Sequence, residues 1–229
     1  MLLGMIKKAT DAKAAADPAG EFGPELSVEA LGRRLEELAS SIAPIQGWME
    51  ENAGKMLYRL ARFDAPVPNI VEIGSWKGRS TAWLASAIRD RGDGKVYAVD
   101  TWKGTGNETV HGDLLRGYGE DQLYQEFLSN LRVRELHGNV EAIRAESLKA
   151  ANNWDPARKI GLLFIDGDHA YEAVRQDFEF WSPHVAVGGY IVFDDVPGWP
   201  GPARLVSELP RWYKFLGTSP NNWIVVKEA

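Results

Sequence analysis

One stretch of the sequence, residues 69–81 (NIVEIGSWKGRST), constrains the fold more than any other. It joins a short apolar run to a turn with two glycines and then to a helix-starting pair, Ser80 and Thr81. Gly74 can adopt backbone angles that are closed to other residues, and it leaves space for a ligand beside the main chain. Apolar strand, glycine turn and capped helix are typical of the first unit of a parallel α/β sheet. In such a unit the helix N-terminus favours a ligand with an anionic group.

Apolar runs alternate with helical patterns along the rest of the chain. Strands are predicted at residues 70–73, 95–99, 140–145, 160–165, 190–193, 213–216 and 223–227, and helices at 80–91, 118–131, 147–152, 171–181 and 203–209. The continuous runs LLFI and YIVF are typical of strands that are covered on both faces. Only a short turn separates the last two strands, which predicts an antiparallel hairpin. The sequence therefore predicts an α/β fold with a doubly wound, Rossmann-like, seven-stranded and mostly parallel sheet that ends in a C-terminal antiparallel hairpin.

The residues before this alternating pattern are predicted to add an arm and a helical extension. Residues 1–24 are rich in Ala, Asp, Gly and Pro, which indicates a flexible arm. Ser27 is a predicted N-cap for a helix with apolar residues at helical spacing, and a second helix is predicted over residues 45–62. We therefore expect a single domain over residues 25–229. Its N-terminal helices, 27–62, are a candidate surface for homo-oligomer formation.

Composition narrows the partners and the location of the protein. A chain of 229 residues is sufficient for one well-buried domain and short for two. The net charge of −6 disfavours nucleic acid as the main partner, because phosphate binding requires a basic face. The opening apolar residues are too few to span a bilayer, and without cysteine any metal must be held by Asp, Glu or His. We expect a cytoplasmic protein that binds neither nucleic acid nor membrane.

An acidic residue, Asp100, closes the second predicted strand. It stands 28 residues after Glu72, roughly the length of one βαβ unit, which is where an acid can accept the hydroxyl protons of a ribose. The alternative is that Asp100 caps the next helix. A dinucleotide site would require a second glycine where Trp76 stands, so the pyrophosphate pattern of a nicotinamide-dependent oxidoreductase is disfavoured.

Three further acidic residues follow the fourth and fifth predicted strands. Asp166 ends the first of these strands, and Asp194 and Asp195 end the second. Neighbouring parallel strands bring their carboxyl ends to one edge of the sheet, where three carboxylates repel unless they are protonated or neutralised by a cation. Hard oxygen ligands favour Mg²⁺, Mn²⁺ or Ca²⁺. The alternative is that these acids cap loops and helices.

The pattern Glu-Ile-Gly-Ser-x-x-Gly over residues 72–78, followed by an acidic strand end, resembles the cofactor motif of class I S-adenosylmethionine-dependent methyltransferases. The resemblance extends from Gln46 to the C-terminus. It implies that the glycine turn receives the methionine part of the cofactor and that Asp100 binds its ribose. The implied cofactor residues are Glu72, Gly74, Ser75, Gly78, Ser80, Thr81, Asp100, Trp102, Glu146, Ser147 and Asp166, of which Trp102 is a candidate to stack on adenine and Glu146 and Ser147 line the adenine pocket.

Two further motifs narrow this resemblance. IDGDHAY at residues 165–171 and GGYIVFDD at 188–195 are similar to the metal-dependent O-methyltransferases that modify sugars in macrolide and aminocoumarin natural products, the macrocin group among them. The resemblance implies that Asp166, Asp194 and Asp195 bind Mg²⁺ or another divalent cation. Relatives place the general base at the position of Asp168 or of His169. We favour His169, because the ordinary pKa of histidine lies near neutrality.

The resemblance thus predicts an enzyme that transfers a methyl group from S-adenosylmethionine to a hydroxyl of a small molecule, with a sugar or a glycosylated secondary metabolite as the acceptor class. The alternatives are a metal-independent or N-directed methyltransferase and a non-catalytic protein that binds S-adenosylmethionine. His111, in a glycine-rich segment, is a candidate contact for the acceptor. Trp76 and Trp199 are candidate walls of the cofactor and acceptor pockets, although core packing is the alternative for any one tryptophan.

Overall fold

The structure, a computed structural model, describes residues 26–104 and 109–229. The predicted arm and the side chain of His111 lie outside the described residues. The elements are α1 (Val28–Ile42), α2 (Glu51–Arg59) with a π-helical turn after it (Leu60–Asp64), β1 (Asn69–Ile73), α3 (Arg79–Arg91), β2 (Lys95–Asp100), α4 (Thr109–Leu114), α5 (Gln122–Val133), β3 (Val140–Arg144), α6 (Ser147–Asn152), β4 (Ile160–Ile165), α7 (Tyr171–Trp181), β5 (Val185–Phe193), α8 (Pro200–Ser207), β6 (Tyr213–Ser219) and β7 (Asn222–Lys227), with short 3₁₀ turns at His137–Asn139 and Ser182–His184.

The seven strands form one sheet in the order β3-β2-β1-β4-β5-β7-β6. Strands β1 to β5 pair in parallel, whereas β7 is antiparallel to both β5 and β6. The predicted fold class, including the C-terminal hairpin, is confirmed. The order of strands reverses direction at β1, which places the carboxyl ends of β1, β2, β4 and β5 around one crevice.

The helices cover both faces of this sheet, because the strand residues alternate between two buried clusters. Ile70, Phe164 and Val192 point to the face that is covered by α1, α2, α3 and α5. Val71 and Phe193 point to the opposite face, which α6, α7 and α8 cover. Strands that are buried on both sides explain the continuous apolar runs of the sequence. None of the helices within the described ranges has the length and apolarity that crossing a membrane requires.

Several boundaries differ from the predicted ones. β5 begins at Val185 rather than at residue 190, because its register with β4 shifts around the exposed segment that contains Gly188. Helix α5 begins at Gln122 instead of residue 118, and the short helix α4 was not predicted. Residues 45–50 are not helical, so α2 starts at Glu51. The predicted N-cap of α1 is confirmed, since Ala30 N donates to Ser27 Oγ at 3.1 Å.

The N-terminal extension is held to the sheet by close packing of α2 against α3. The side chain of Trp83 in α3 is 2% exposed. A Cβ atom on Gly54 of α2 would lie 2.2 Å from the Nε1 atom of this indole. The absence of a side chain at residue 54 is therefore what allows the two helices to approach each other.

We expect Gly54→Ala to lower the free energy of unfolding by about 1–3 kcal/mol, because the added methyl group overlaps Trp83. Gly32→Ala is the matched control, since Gly32 lies inside α1 and a Cβ there meets nothing within 4 Å. This control should raise the free energy of unfolding by about 0.5–1 kcal/mol through helix propensity. Urea unfolding of the three proteins measures both effects, and equal stability of the two variants would contradict the packing argument.

Candidate functional site

The turn between β1 and α3 lies at the centre of the crevice. Gly74 has a φ of +83°, and its N–H donates to Val99 O at 3.0 Å. A Cβ atom on Gly74 would lie 1.9 Å from the backbone oxygen of Asp166. Glycine is therefore required at residue 74 both for its backbone conformation and for the close approach of the turn to the end of β4.

Asp100, at the end of β2, accepts hydrogen bonds from the backbone of this turn. Its Oδ2 accepts from Ser75 N at 2.8 Å and from Trp76 N at 2.9 Å. Its Oδ1 accepts from Trp102 N at 2.6 Å. The Asp100 carboxylate thus fixes the shape of the glycine turn. This structural role resembles the predicted alternative of a helix cap, but the backbone that Asp100 holds is the turn before α3. The same side chain lines the cavity, so binding of a ribose stays a prediction.

Glu72, in β1, holds the turn through hydrogen bonds to two hydroxyl groups. Its carboxyl group is fully buried, and its Oε2 accepts from Ser75 Oγ at 2.7 Å and from Thr81 Oγ1 at 2.5 Å. Burial raises the pKa of Glu72 to about 7. Its Oε1 has no hydrogen-bond partner among the described residues. Glu72 therefore anchors the turn to the start of α3.

A cavity of about 960 Å³ opens beyond the carboxyl ends of the strands. Most of the predicted site residues line it, namely Gly74, Ser75, Ser80, Asp100, Glu146, Ser147, Asp166, Asp168, His169, Asp194 and Asp195. The predicted cofactor residues Glu72, Gly78, Thr81 and Trp102 do not line it. We revise their role from ligand contact to support of the site.

Trp102 and Gly78 show why this revision is needed. The indole of Trp102 is 3% exposed and packs on Tyr124 and Phe127 of α5, with ring centroids 4.8 and 4.7 Å away. Its Nε1 donates to Trp76 O at 2.9 Å. Core packing, the alternative for any tryptophan, thus describes Trp102. Gly78 is the N-cap of α3 with a φ of +87°, and a Cβ there would lie 3.0 Å from Phe127.

The three predicted metal ligands, Asp166, Asp194 and Asp195, meet at one edge of the sheet and form what we call the acidic cluster. Ile165 pairs with Phe193 in the parallel register of β4 and β5, so the next residues, Asp166 and Asp194, are neighbours. One carboxylate oxygen from each of Asp166, Asp194 and Asp195 lies within 4.8 Å of the others. Burial and then the neighbouring carboxylates raise the pKa of Asp166 well above its ordinary value, and the same two causes raise that of Asp194 to about 7. A half-buried set of hard oxygen atoms fits a divalent cation.

The two candidate bases differ in their surroundings. His169 Nε2 lies 2.6 Å from Asp195 Oδ2, and its ring stacks on Trp199 with centroids 4.3 Å apart and planes at 19°. Asp168 Oδ1 instead accepts from Ala170 N at 2.7 Å, which caps the loop before α7. A Cβ on Gly201 of α8 would lie 2.1 Å from His169 O, so α8 supports this loop directly. His169 is thus the candidate base that contacts the acidic cluster.

The walls of the cavity include residues that sequence reasoning missed. Trp48, in the extension, lies beside the predicted wall residue Trp76 with ring centroids 5.5 Å apart. Asp177 of α7 also lines the cavity, and burial raises its pKa to about 6. Asn221 and Asn222 reach the site from the β6–β7 hairpin. The Asn-Asn pair in a predicted turn was the available signal, but its register with β5 is a tertiary feature.

Acids predominate among the charged side chains that line the cavity. Eight carboxyl side chains line the cavity, whereas Arg79 is the one lysine or arginine among its described lining residues; the acids are Glu50, Asp100, Glu146, Asp166, Asp168, Asp177, Asp194 and Asp195. Such a lining favours cationic ligands. The fold and the site together define a Rossmann-like α/β protein with a cofactor cavity beyond the carboxyl ends of its strands.

Comparison with known proteins narrows this class. A family model described as a methyltransferase domain matches residues 71–196. R132, an uncharacterized protein of Acanthamoeba polyphaga mimivirus, is 37% identical over 76 residues, which are 28% of this chain and 34% of the viral protein. The match therefore spans about a third of that relative's length.

Two solved structures share the fold. The O-methyltransferase TomG of Streptomyces achromogenes, in complex with S-adenosylmethionine, has a TM-score of 0.59 at 17% identity over 89% of this chain and 92% of TomG. The calicheamicin methyltransferase CalS11 has a TM-score of 0.56 at 16% identity over 95% of this chain and 99% of CalS11. At these identities the two structures bear on the fold alone.

Since the family match covers more than half of the sequence, the chain belongs to the methyltransferase-domain family. At the level of a methyltransferase domain, this is the family that the resemblance of residues 72–78 and Asp100 predicted.

The raised pKa of Glu72 predicts a pH-dependent contribution to stability. The folded protein keeps this proton up to about pH 7, whereas the carboxyl group of the unfolded chain loses it near its ordinary pKa of 4.5. The free energy of unfolding should therefore fall as the pH rises between these values. Glu72→Gln lacks this ionisable group and should not lose stability in this way. Between pH 4.5 and pH 8 the free energy of unfolding of the variant, relative to that of the wild type, should therefore rise by roughly 1–3 kcal/mol.

Urea unfolding at a series of pH values measures this difference. Glu120→Gln, at an exposed position, is the control and should give a curve parallel to that of the wild type. A parallel curve for Glu72→Gln would contradict the role of its buried carboxyl group.

Proposed function

We propose that this protein transfers the methyl group of S-adenosylmethionine to a hydroxyl oxygen of a small molecule in a reaction that depends on a divalent cation. The observation that carries this proposal is the contact between the glycine turn and the acidic cluster. The backbone of Asp166 touches Gly74, and the side chain of Asp166 belongs to the cluster with Asp194 and Asp195. Cofactor turn and cation ligands therefore face one cavity.

The cofactor would lie along the ends of β1, β2 and β3. The Gly74 turn leaves space for the methionine part of the cofactor, and Asp100 keeps lone pairs that can accept ribose hydroxyls beside its three backbone hydrogen bonds. Glu146 and Ser147 follow β3 and line the cavity, where they would contact adenine. Ser147 Oγ is fixed by Trp181 Nε1 at 2.9 Å. The acidic lining also complements the positive sulfonium of this cofactor.

The cation ligands and the base would act on the acceptor hydroxyl. Asp166, Asp194 and Asp195 would hold Mg²⁺ or another divalent cation, whose charge would lower the pKa of the acceptor hydroxyl. His169, whose Nε2 reaches Asp195, is within range of a proton released at the cluster. Stacking on Trp199 holds the imidazole in this orientation. Methyl transfer then requires the acceptor oxygen about 3 Å from the methyl group and in line with the sulfur.

A sugar or a glycosylated secondary metabolite is the acceptor class that we propose. The aromatic walls Trp48, Trp76 and Trp199 suit the apolar faces of a sugar ring. CalS11, which shares the fold, is described as a TDP-rhamnose 3′-O-methyltransferase. A cytoplasmic location, the lack of nucleic-acid and membrane partners, and self-association through α1 and α2 remain further proposals.

Separate binding of cation and cofactor tests the site assignment. We expect Asp166→Asn and Asp194→Asn to weaken Mn²⁺ binding by about tenfold or more, with S-adenosylhomocysteine affinity little changed. Asp100→Ala should do the reverse, because the glycine turn loses its two hydrogen bonds to this carboxylate and Trp102 N loses a third. Isothermal titration measures both ligands, and Asp93→Asn, at an exposed loop, is the control. Equal loss of both ligands in all three site variants would contradict separate roles.

Turnover tests the chemistry. With radiolabelled S-adenosylmethionine and a panel of hydroxylated sugars and glycosides, methyl transfer should stop in EDTA and return with excess Mg²⁺. His169→Ala should lower kcat by about 10²–10⁴-fold, because the acceptor proton has no base, while S-adenosylhomocysteine binding persists. Turnover that is unchanged in EDTA would exclude the cation-dependent mechanism.

A further inference from the structure

The β6–β7 hairpin lies beside the acidic cluster. In the strand order of the sheet, β7 flanks β4 and β5 at one end and β1, which carries the glycine turn, flanks them at the other. Phe193 of β5 pairs with Trp223 of β7 in antiparallel register. The residue that follows Phe193 is therefore the neighbour of the residue that precedes Trp223. This register places Asn222 beside Asp194.

Two consecutive amides in this hairpin each donate to one carboxylate of the cluster. Asn222 Nδ2 donates to Asp194 Oδ1 at 2.5 Å, and Asn221 Nδ2 donates to Asp195 Oδ1 at 2.7 Å. The hairpin is itself tied to the loop after β5, since Val196 N donates to Asn221 O at 3.1 Å. Each amide therefore selects which oxygen of its aspartate is left for the rest of the site.

The side chain of Asn222 has a second feature. Asn222 is 1% exposed and lines the cavity. Its Nδ2 is held by two acceptors, Asp194 Oδ1 and Pro220 O, the latter at 3.1 Å. Its Oδ1 is buried and has no hydrogen-bond partner among the described residues. A buried amide oxygen without a donor is unfavourable, so this atom is suited to a ligand that carries an O–H group.

The chemistry of an amide suits this position. A lysine or arginine beside Asp194 and Asp195 would neutralise them and oppose a divalent cation. An amide donor orients a carboxylate without adding charge. Carboxylates that bind metals are commonly held by hydrogen bonds of this kind.

We propose that Asn221 and Asn222 are positioning residues of the cation site. Their Nδ2 groups orient the carboxylates of Asp195 and Asp194, and Asn222 Oδ1 accepts a hydrogen bond from a water or hydroxyl that accompanies the cation. This inference rests on the cation site of the proposed function. It assigns to the β6–β7 hairpin a part in a site otherwise built from the ends of β4 and β5.

Mn²⁺ binding to the full chain, followed by the electron paramagnetic resonance signal of free Mn²⁺, tests the inference. We expect Asn222→Ala to weaken Mn²⁺ binding by about tenfold and Asn221→Ala, at an exposed position, by a smaller factor. Asn222→Leu keeps a side chain of similar size but can neither donate nor add charge, so it should also bind Mn²⁺ more weakly. S-adenosylhomocysteine affinity and the unfolding temperature in metal-free buffer should stay close to those of the wild type.

Asn153→Ala is the matched control, because the Asn153 amide donates to the backbone at Lys149 O, and it should bind Mn²⁺ like the wild type. Tighter or unchanged Mn²⁺ binding by Asn222→Leu would overturn the positioning role. If the wild type binds no Mn²⁺, the cation-dependent part of the proposed function fails. If the wild type binds Mn²⁺ and both alanine variants bind it equally well, only the role of the hairpin fails. Should Asn222→Ala not fold, Asn221→Ala decides the outcome.

Discussion

The close approach of Gly74 to the backbone of Asp166 is the constraint on which the site depends. A Cβ atom at residue 74 would overlap the Asp166 carbonyl group, since it would lie 1.9 Å from the carbonyl oxygen. Without one, the turn after β1 rests against the end of β4 and donates from its N–H to β2. Asp100 and Glu72 then hold the same turn through hydrogen bonds to the backbone and the side chain of Ser75. The cofactor turn and the acidic cluster are adjacent for this reason.

The charged form of the acidic cluster is unfavourable, because its carboxyl groups are close to one another and partly shielded from water. Desolvation and mutual repulsion raise the pKa values of Asp166 and Asp194, so these carboxyl groups favour their protonated form. A cationic ligand that binds the folded state relieves this repulsion and stabilises the protein. The two ligands that we propose, S-adenosylmethionine with its sulfonium and a divalent cation, are both of this kind. The acidic lining of the cavity therefore connects stability with ligand binding.

Local patterns predicted much of the fold and of the site, and their failures have identifiable causes. The boundaries of β4, α6 and α7 were predicted correctly, because each begins and ends with a clear change of pattern. β5 was predicted five residues too short, since its start depends on a register shift against β4. Trp102 was predicted to contact adenine, but three-dimensional packing against α5 encloses it.

Residue type and spacing along the chain predicted the succession of strands and helices, the glycine turn and the acids at the strand ends, because all of these are local features. Which of these residues face the cavity depends on how the strands and helices pack. Glu72 and Thr81 lie beneath the turn, whereas Asn222, distant in sequence, lies beside Asp194. Strand register and helix packing bring together residues that are far apart in the chain, so no local pattern encodes the distance between them in space.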